Sequence, residues 1–418
     1  MSQVSSARFL CLLTLSALTL TSRTFALEAE TPLSLDEAVA LSAANQPLLD
    51  AEAAAARSAR EAAIADAQLP DPKLVGGVTD IPIAGDDRYT LRDDMTQLML
   101  GLSQAFPRGN SRELRAERGR AEADKLDADR EMRVKEIARD TALAWLDTWQ
   151  AERAEEIARD TAHEADLQRQ STELAYTAGR ATQADVLAAR VTLADARDEA
   201  DEFAQQAQQA RAGLSRWIGD AAMRPIADDL PHWSAPPSAA ASIEHLHTHP
   251  HLLSQSREVD AARADVELAR QAYKPELEVT VGYGYRRDFA DYASLTIGMD
   301  LPFFTGRRQD RALAAKLADA ERAERLRDDA FRQHAAEVRL SSAGWLQLQE
   351  RLKRYDQEIL PQSEQRVDAA LAAWRSGAGT LTSVLDARRM LLESRLKRLA
   401  LQLDAAKDRV KLTYLAGA

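Results

Sequence analysis

Cysteine is almost missing from this 418-residue chain, and Cys11 is the single example. One thiol excludes an intrachain disulfide and any cysteine-built metal cage or redox pair. Glycine and proline contribute 17 and 14 residues, far below the share that marks a disordered low-complexity chain. Aromatic residues are only 5% of the chain, while long stretches run in Ala, Glu, Arg and Leu, which points to extended helices. No uninterrupted apolar run reaches the ~18 residues of a helical membrane span. Positive charge is in deficit, with 54 Lys and Arg against 66 Asp and Glu, a formal charge of −12. Such a balance argues against a nucleic-acid partner, which needs a basic face.

What is present begins with a leader. Arg8 precedes an apolar core from Phe9 to Leu20, and Thr24, Phe25 and Ala26 end in a small residue suited to cleavage. Residues 1–26 are therefore expected to be a signal peptide of an exported chain. Cys11 sits inside the apolar core, which is the wrong place for lipidation. Removing the segment leaves 52 basic and 66 acidic residues, a charge of −14, and no cysteine.

The mature sequence is duplicated. Gly179, Thr182, Val186, Leu187, Ala189 and Arg190 recur 198 residues later as Gly377, Thr380, Val384, Leu385, Ala387 and Arg388. Gln46-Pro47 aligns with His249-Pro250, Pro72 with Pro275, Pro107 with Pro302, and Trp145 with Trp345. Residues 27–218 are expected to form one copy and 243–418 the other. The connector at 219–242 carries Pro225, Pro231, Pro236 and Pro237.

Each copy reads as short helix, two strands, very long helix, tight turn, shorter helix. Glu276 to Tyr285 alternates, with Leu277, Val279, Val281, Tyr283 and Tyr285 on one side. Ser294 to Phe303 repeats the pattern, and Leu98, Leu100 and Leu102 carry it in copy one. The strand pairs are expected at about 73–106 and 276–303, with 73–83 the weakest strand. An ordinary half-buried sheet fits this period, and so does a membrane barrel wall. Export and the aromatics Tyr283, Tyr285, Tyr292, Phe303 and Phe304 near the strand ends favour the barrel. Known membrane barrels start at eight strands, so four per chain require several chains to share one.

Proline is absent between Pro107 and Gly179, so 111–177 is expected to be one helix, and 307–375 another, bent rather than stopped at Pro361. Helical hairpins then span about 111–217 and 307–414. Shorter helices near 48–69 and 251–273, stacked end to end with 182–217 and 380–414, would run alongside the long ones. A helical rod alone would not need the strands.

The order of signal, helix, strand pair, long helix, Gly-x-x-Thr turn and helix, twice over, resembles the TolC-type outer membrane efflux proteins. The turns Gly179-x-x-Thr182-x-x-Asp185 and Gly377-x-x-Thr380-x-x-Ser383 carry the resemblance, with Leu360-Pro361, Phe106-Pro107 and Leu301-Pro302-Phe303. The resemblance implies a mainly α fold with membrane β-structure: a homotrimer sharing a twelve-stranded barrel above a periplasmic tunnel of helices. It implies an outer membrane location in a Gram-negative bacterium. The chain would be a passive exit duct, neither an enzyme nor a cofactor protein, working with a periplasmic adaptor and an inner-membrane pump of RND type. No nucleophile turn or phosphate loop competes with that reading. A periplasmic adaptor or a structural coiled coil is the alternative of another class, but neither needs a duplicated strand pair.

Roles follow from the same resemblance. Gly179, Arg180, Thr182, Arg190, Gly377, Thr380 and Arg388 would lie at periplasmic tips where the adaptor docks. Gly and Thr at these places are also what any helix reversal needs. Asp185, and Asp386 one turn past Ser383, would form an acidic gate favouring cations. Four of the seven histidines, His245, His247, His249 and His251, fall in one segment, where spacing of two could gather imidazoles around a metal ion. They also align with a helix-to-helix joint in copy one. The heavy-metal, CzcC-like branch is the most similar, which makes metal cations the expected cargo ahead of drugs or secreted protein.

Overall fold

A computed structural model of the protein describes residues 31–44 and 46–415. The expected leader and Cys11 lie outside the described residues. In chain order come α1 (Leu35–Ala44), α2 (Pro47–Asp66), β1 (Lys73–Thr79), β2 (Gln97–Phe106), α3 (Ser111–Thr177) and α4 (Gln183–Ile218). A 3₁₀ turn and the proline-containing connector follow. Then come α5 (Ala239–His245), α6 (Pro250–Gln271), β3 (Glu276–Tyr285), β4 (Tyr292–Asp300), α7 (Gln309–Arg354), α8 (Leu360–Arg375) and α9 (Leu381–Leu415).

The proline-free stretch becomes α3, a helix of 67 residues and roughly 100 Å. Its one glycine marks a close crossing, because a Cβ on Gly119 would lie 2.5 Å from Ala63 Cβ on α2. Two shorter helices share its length. Glu52 of α2 pairs with Arg133, and beyond it Arg211 and Arg190 of α4 pair with Glu152 and Glu173. Copy two repeats the plan, with α6 beside α7 through Arg263–Glu324 and α9 beside α8 through Arg395–Glu364. These partly exposed ion pairs lie along the helix contacts and each adds little stability. The buried seams hold the packing, and alanine is their commonest residue, with leucine next.

Pro361 does not stop the second long helix. Proline removes one N–H and crowds the carbonyl four residues back, here Gln357. The backbone widens into a π turn over Tyr355–Ile359 and passes on into α8. At mid-length the connector clasps the first copy: Leu33 pairs with Ile226, and Trp145 and Trp149 donate to the carbonyls of Leu33 and Asp228.

The four strands form one antiparallel sheet in the order β1-β2-β3-β4. Their register aligns Leu74, Leu102, Val281 and Leu295 in one row across all four strands. Every member of that row is more than half exposed, at 74%, 53%, 56% and 67%. A half-buried soluble sheet would cover such a row. Here the polar row Lys73, Ser103, Thr280 and Thr296 occupies the opposite face, and Thr280 donates to Ser103 at 3.0 Å. Apolar outward and polar inward is the pattern of a membrane barrel wall. Glycines on the inner face make room for large neighbours: a Cβ on Gly284 would sit 2.6 Å from the Tyr292 ring. Below the sheet, Arg108 reaches Glu276 and Asp300 at 3.2 and 3.3 Å and ties the strand bases to the start of α3.

Two strand limits differ from the sequence reading. β1 ends at Thr79 rather than near 83, because Asp80 turns into a positive φ and Pro82 cannot donate to a ladder. β4 runs from Tyr292 to Asp300 rather than from 294 to 303, since Pro302 ends the pairing and Tyr292 extends it opposite Gly284. Leu295→Arg on the outward row is expected to cost about 2–4 kcal/mol near the bilayer midplane. Thr296→Arg on the inward row is expected to be tolerated. Urea unfolding of liposome-inserted protein measures both.

Candidate functional site

The two helix reversals are built from the bottom of their sequence motifs. At the first, Gly179 takes φ +71, which lets the N–H groups of Gly179 and Arg180 turn back to the carbonyls of Tyr176 and Ala175. Thr182 then caps α4. Its hydroxyl oxygen accepts from the Asp185 N–H at 3.2 Å, and the Asp185 carboxylate accepts from the Thr182 N–H at 2.8 Å. This reciprocal pair is a capping box, and it fixes the carboxylate beside the turn. Asp185 thus stands at a helix N-terminus, where negative charge is stabilised.

The second reversal is the same turn with one change. Gly377 takes φ +78, and Thr380 accepts from the Ser383 N–H at 3.3 Å. Ser383 turns its own hydroxyl back to the Thr380 carbonyl at 2.7 Å. The acid is displaced to Asp386, which is exposed one turn farther along. Both reversals lie at one end of the molecule, because Arg388, two turns past Thr380, bonds Glu164 near the end of α3 at 2.7 Å.

The arginines separate into two kinds. Arg180 is exposed in the turn itself. Arg190 spans α4 and α3, donating to Glu173 at 3.0 Å, and Arg388 is occupied by Glu164. The Arg190 hydrogen bond, followed by burial acting the other way and by Arg169, leaves the Glu173 carboxyl below its ordinary value. Sequence reasoning did not find Glu173 or Glu164, since nothing in their local spacing distinguishes them from other acidic helix positions.

The four histidines do not come together as a metal cage. His245 closes α5 and contacts the Ala241 carbonyl, and His247 stacks on Phe331 with centroids 4.9 Å apart. His249 caps α6 and is 1% exposed, while His251 meets His334 of α7 at 2.8 Å. The extended segment that spacing of two required is replaced by helix, 3₁₀ turn and cap, which scatter the rings. Among the described residues no three His, Cys, Asp or Glu side chains are arranged to hold a metal ion.

Residues 25–220 and 243–418 both match the model of the outer membrane efflux protein family. The chain belongs to that family. It is similar to the cobalt-zinc-cadmium resistance protein CzcC of Cupriavidus metallidurans, with 26% identity over 90% of this chain and 88% of that protein. It also matches the pyoverdine export outer membrane protein OpmQ of Pseudomonas putida at 31% identity, over 40% of this chain and 37% of that one. Among solved structures, a membrane protein from Pseudomonas aeruginosa superposes with a TM-score of 0.81 at 19% identity, covering 92% of this chain and 90% of that one. The fold is therefore that of the TolC-like channels, long helices below a short sheet. The protein is an outer membrane efflux channel with a periplasmic helical tunnel, and not an enzyme. Channels of this type form homotrimers and work with adaptors and inner-membrane pumps.

The turns make stability predictions. Thr182→Ala should cost about 1 kcal/mol through the lost cap, and Gly179→Ala should cost about 1 kcal/mol because alanine resists positive φ. Thermal unfolding in detergent, compared with Ala181→Ser as a neutral control, measures both.

Proposed function

We propose that this channel carries heavy-metal cations, handed to it by an RND-type inner-membrane pump through a periplasmic adaptor. The observation that carries the proposal is the likeness to the cobalt-zinc-cadmium resistance protein along nearly the full length of both chains. The shorter match to the pyoverdine exporter supports an organic cargo instead, over less than half of the chain. Exposed apolar residues on the outward sheet face suit outer membrane lipid as their surroundings.

The hairpin end is the proposed gate and docking region. Three chains would bring up to six carboxylates, from Asp185 and Asp386, toward one opening, and a ring of acid favours cations. Arg180, Gly179 and Thr182, with Gly377 and Thr380, supply the surface that meets the adaptor. Arg190 and Arg388 support it from behind through Glu173 and Glu164.

A strain lacking the gene, challenged with zinc, cadmium, cobalt, copper and silver beside a drug panel and pyoverdine, tests the cargo. Metal sensitivity restored by the wild-type gene is the expected result, and sensitivity to organic compounds alone would overturn it. For the gate, Asp185→Asn with Asp386→Asn removes charge while leaving an oxygen to cap α4. Weaker cation preference and weaker divalent block in planar bilayers are expected, and unchanged selectivity removes both residues from the gate.

A further inference from the structure

One cluster of titratable side chains belongs neither to the barrel nor to the tips. Where α6 begins and α9 ends, two imidazoles from the start of α6 pack against a third on α7. His251 Nδ1 lies 2.8 Å from His334 Nε2, and the His249 ring lies 4.9 Å from that of His334. The edge of Tyr414 from α9 closes the other side of His249, with centroids 5.2 Å apart. We propose that His249, His251 and His334 form an acid-sensitive latch that fastens α7 to the start of α6 and the end of α9.

The hydrogen-bond count limits the protons this cluster can hold. The His251–His334 contact needs one ring to donate and the other to offer a lone pair. Neutral rings satisfy it, and so does one added proton; the other ring nitrogen of His334, Nδ1, faces Glu337 at 3.3 Å. A second proton makes both rings donors, removes the bond and sets two like charges against each other. His249 has its own restriction. Its Nδ1 accepts from the His251 N–H at 3.3 Å as the cap of α6, so protonating that atom costs the cap. Its Nε2 is buried and makes no well-formed hydrogen bond, and the nearby Tyr414 backbone favours charge on this ring more weakly than burial and the facing imidazoles oppose it.

The surroundings do not cancel this. From α3, Asp129 and Glu136 favour protonation while Lys135 opposes it, and Arg139 stacks over Tyr414 at 4.6 Å. From α7, Glu337 adds attraction. Burial first, then the facing imidazoles, push His249 from an ordinary 6.5 to about 4, and the same two causes lower His251. The sign follows from linkage. The opened state takes up protons below its ordinary value that the closed state refuses, so the latch is complete above about pH 6.5 and weakens toward about pH 4. α7 continues through the π turn into α8 and the Gly377 reversal, so freeing its upper half loosens the element that carries one tip.

Hydrogen exchange of the detergent-solubilised protein at about pH 7.5 and about pH 5, corrected for intrinsic rates, tests the latch. Segments 246–256 and 328–340 should open roughly 10-fold more at the lower pH, as expected for loss of about one paired proton site. A His251→Gln and His334→Gln double variant can keep an amide hydrogen bond without titrating, and its opening should lose most of that dependence. His249→Gln, with an oxygen to cap α6, should flatten it in part. Unchanged protection of the wild type, or equal loosening of the double variant, would overturn the proposal.

Discussion

The structure depends on one constraint: a four-stranded sheet that faces its apolar row outward and leaves two edges open. Backbone N–H and C=O groups cannot stay unpaired in hydrocarbon, so a sheet in a bilayer must close on itself. Four strands are too few to close, and the outer edges of β1 and β4 meet no further strand among the described residues. Further copies must supply those partners, and three copies give twelve strands. Everything below inherits this arrangement. α3 begins a few residues after β2 and α7 soon after β4, so barrel closure also places the long helices in a ring. Arg108, held by Glu276 and Asp300, transmits that placement from strand ends to helix start.

The helical part meets a different demand, which is length without a large core. Alanine-rich seams and a glycine where α3 crosses α2 closely let helices of unequal length lie close, with short helices sharing the long ones. Two devices then deal with the ends. A left-handed glycine reverses each hairpin, and a threonine cap restarts the chain. The acid in the first cap is thereby held near the tip whether or not it serves a gate. Chemistry at the site is electrostatic and mechanical, with no bond made or broken.

Much of this was legible because the governing signals are local. Missing proline marks α3, period two marks β3, and Gly-x-x-Thr marks both turns. Pro361 was legible as a disturbance, but the π turn placed ahead of it depends on how the backbone relieves the crowded Gln357 carbonyl. The limits of β4 depend on a cross-strand fit between Tyr292 and Gly284 that no single strand reveals. The histidines mislead in the same way. His245 to His251 looks like a set because it is contiguous, yet the ring that His251 meets is His334, 83 residues away. Likewise Arg190 and Arg388 are read from the sequence as docking residues at the tips, and their partners Glu173 and Glu164 come into reach only once the hairpins pack.

Shared closure of the sheet is the central claim, and mass is its most direct measure. Native mass spectrometry of the protein released from lipid-like detergent should give a single species of three chains, with its strands intact by infrared spectroscopy. A monodisperse single chain that retains membrane-inserted strands would contradict the account.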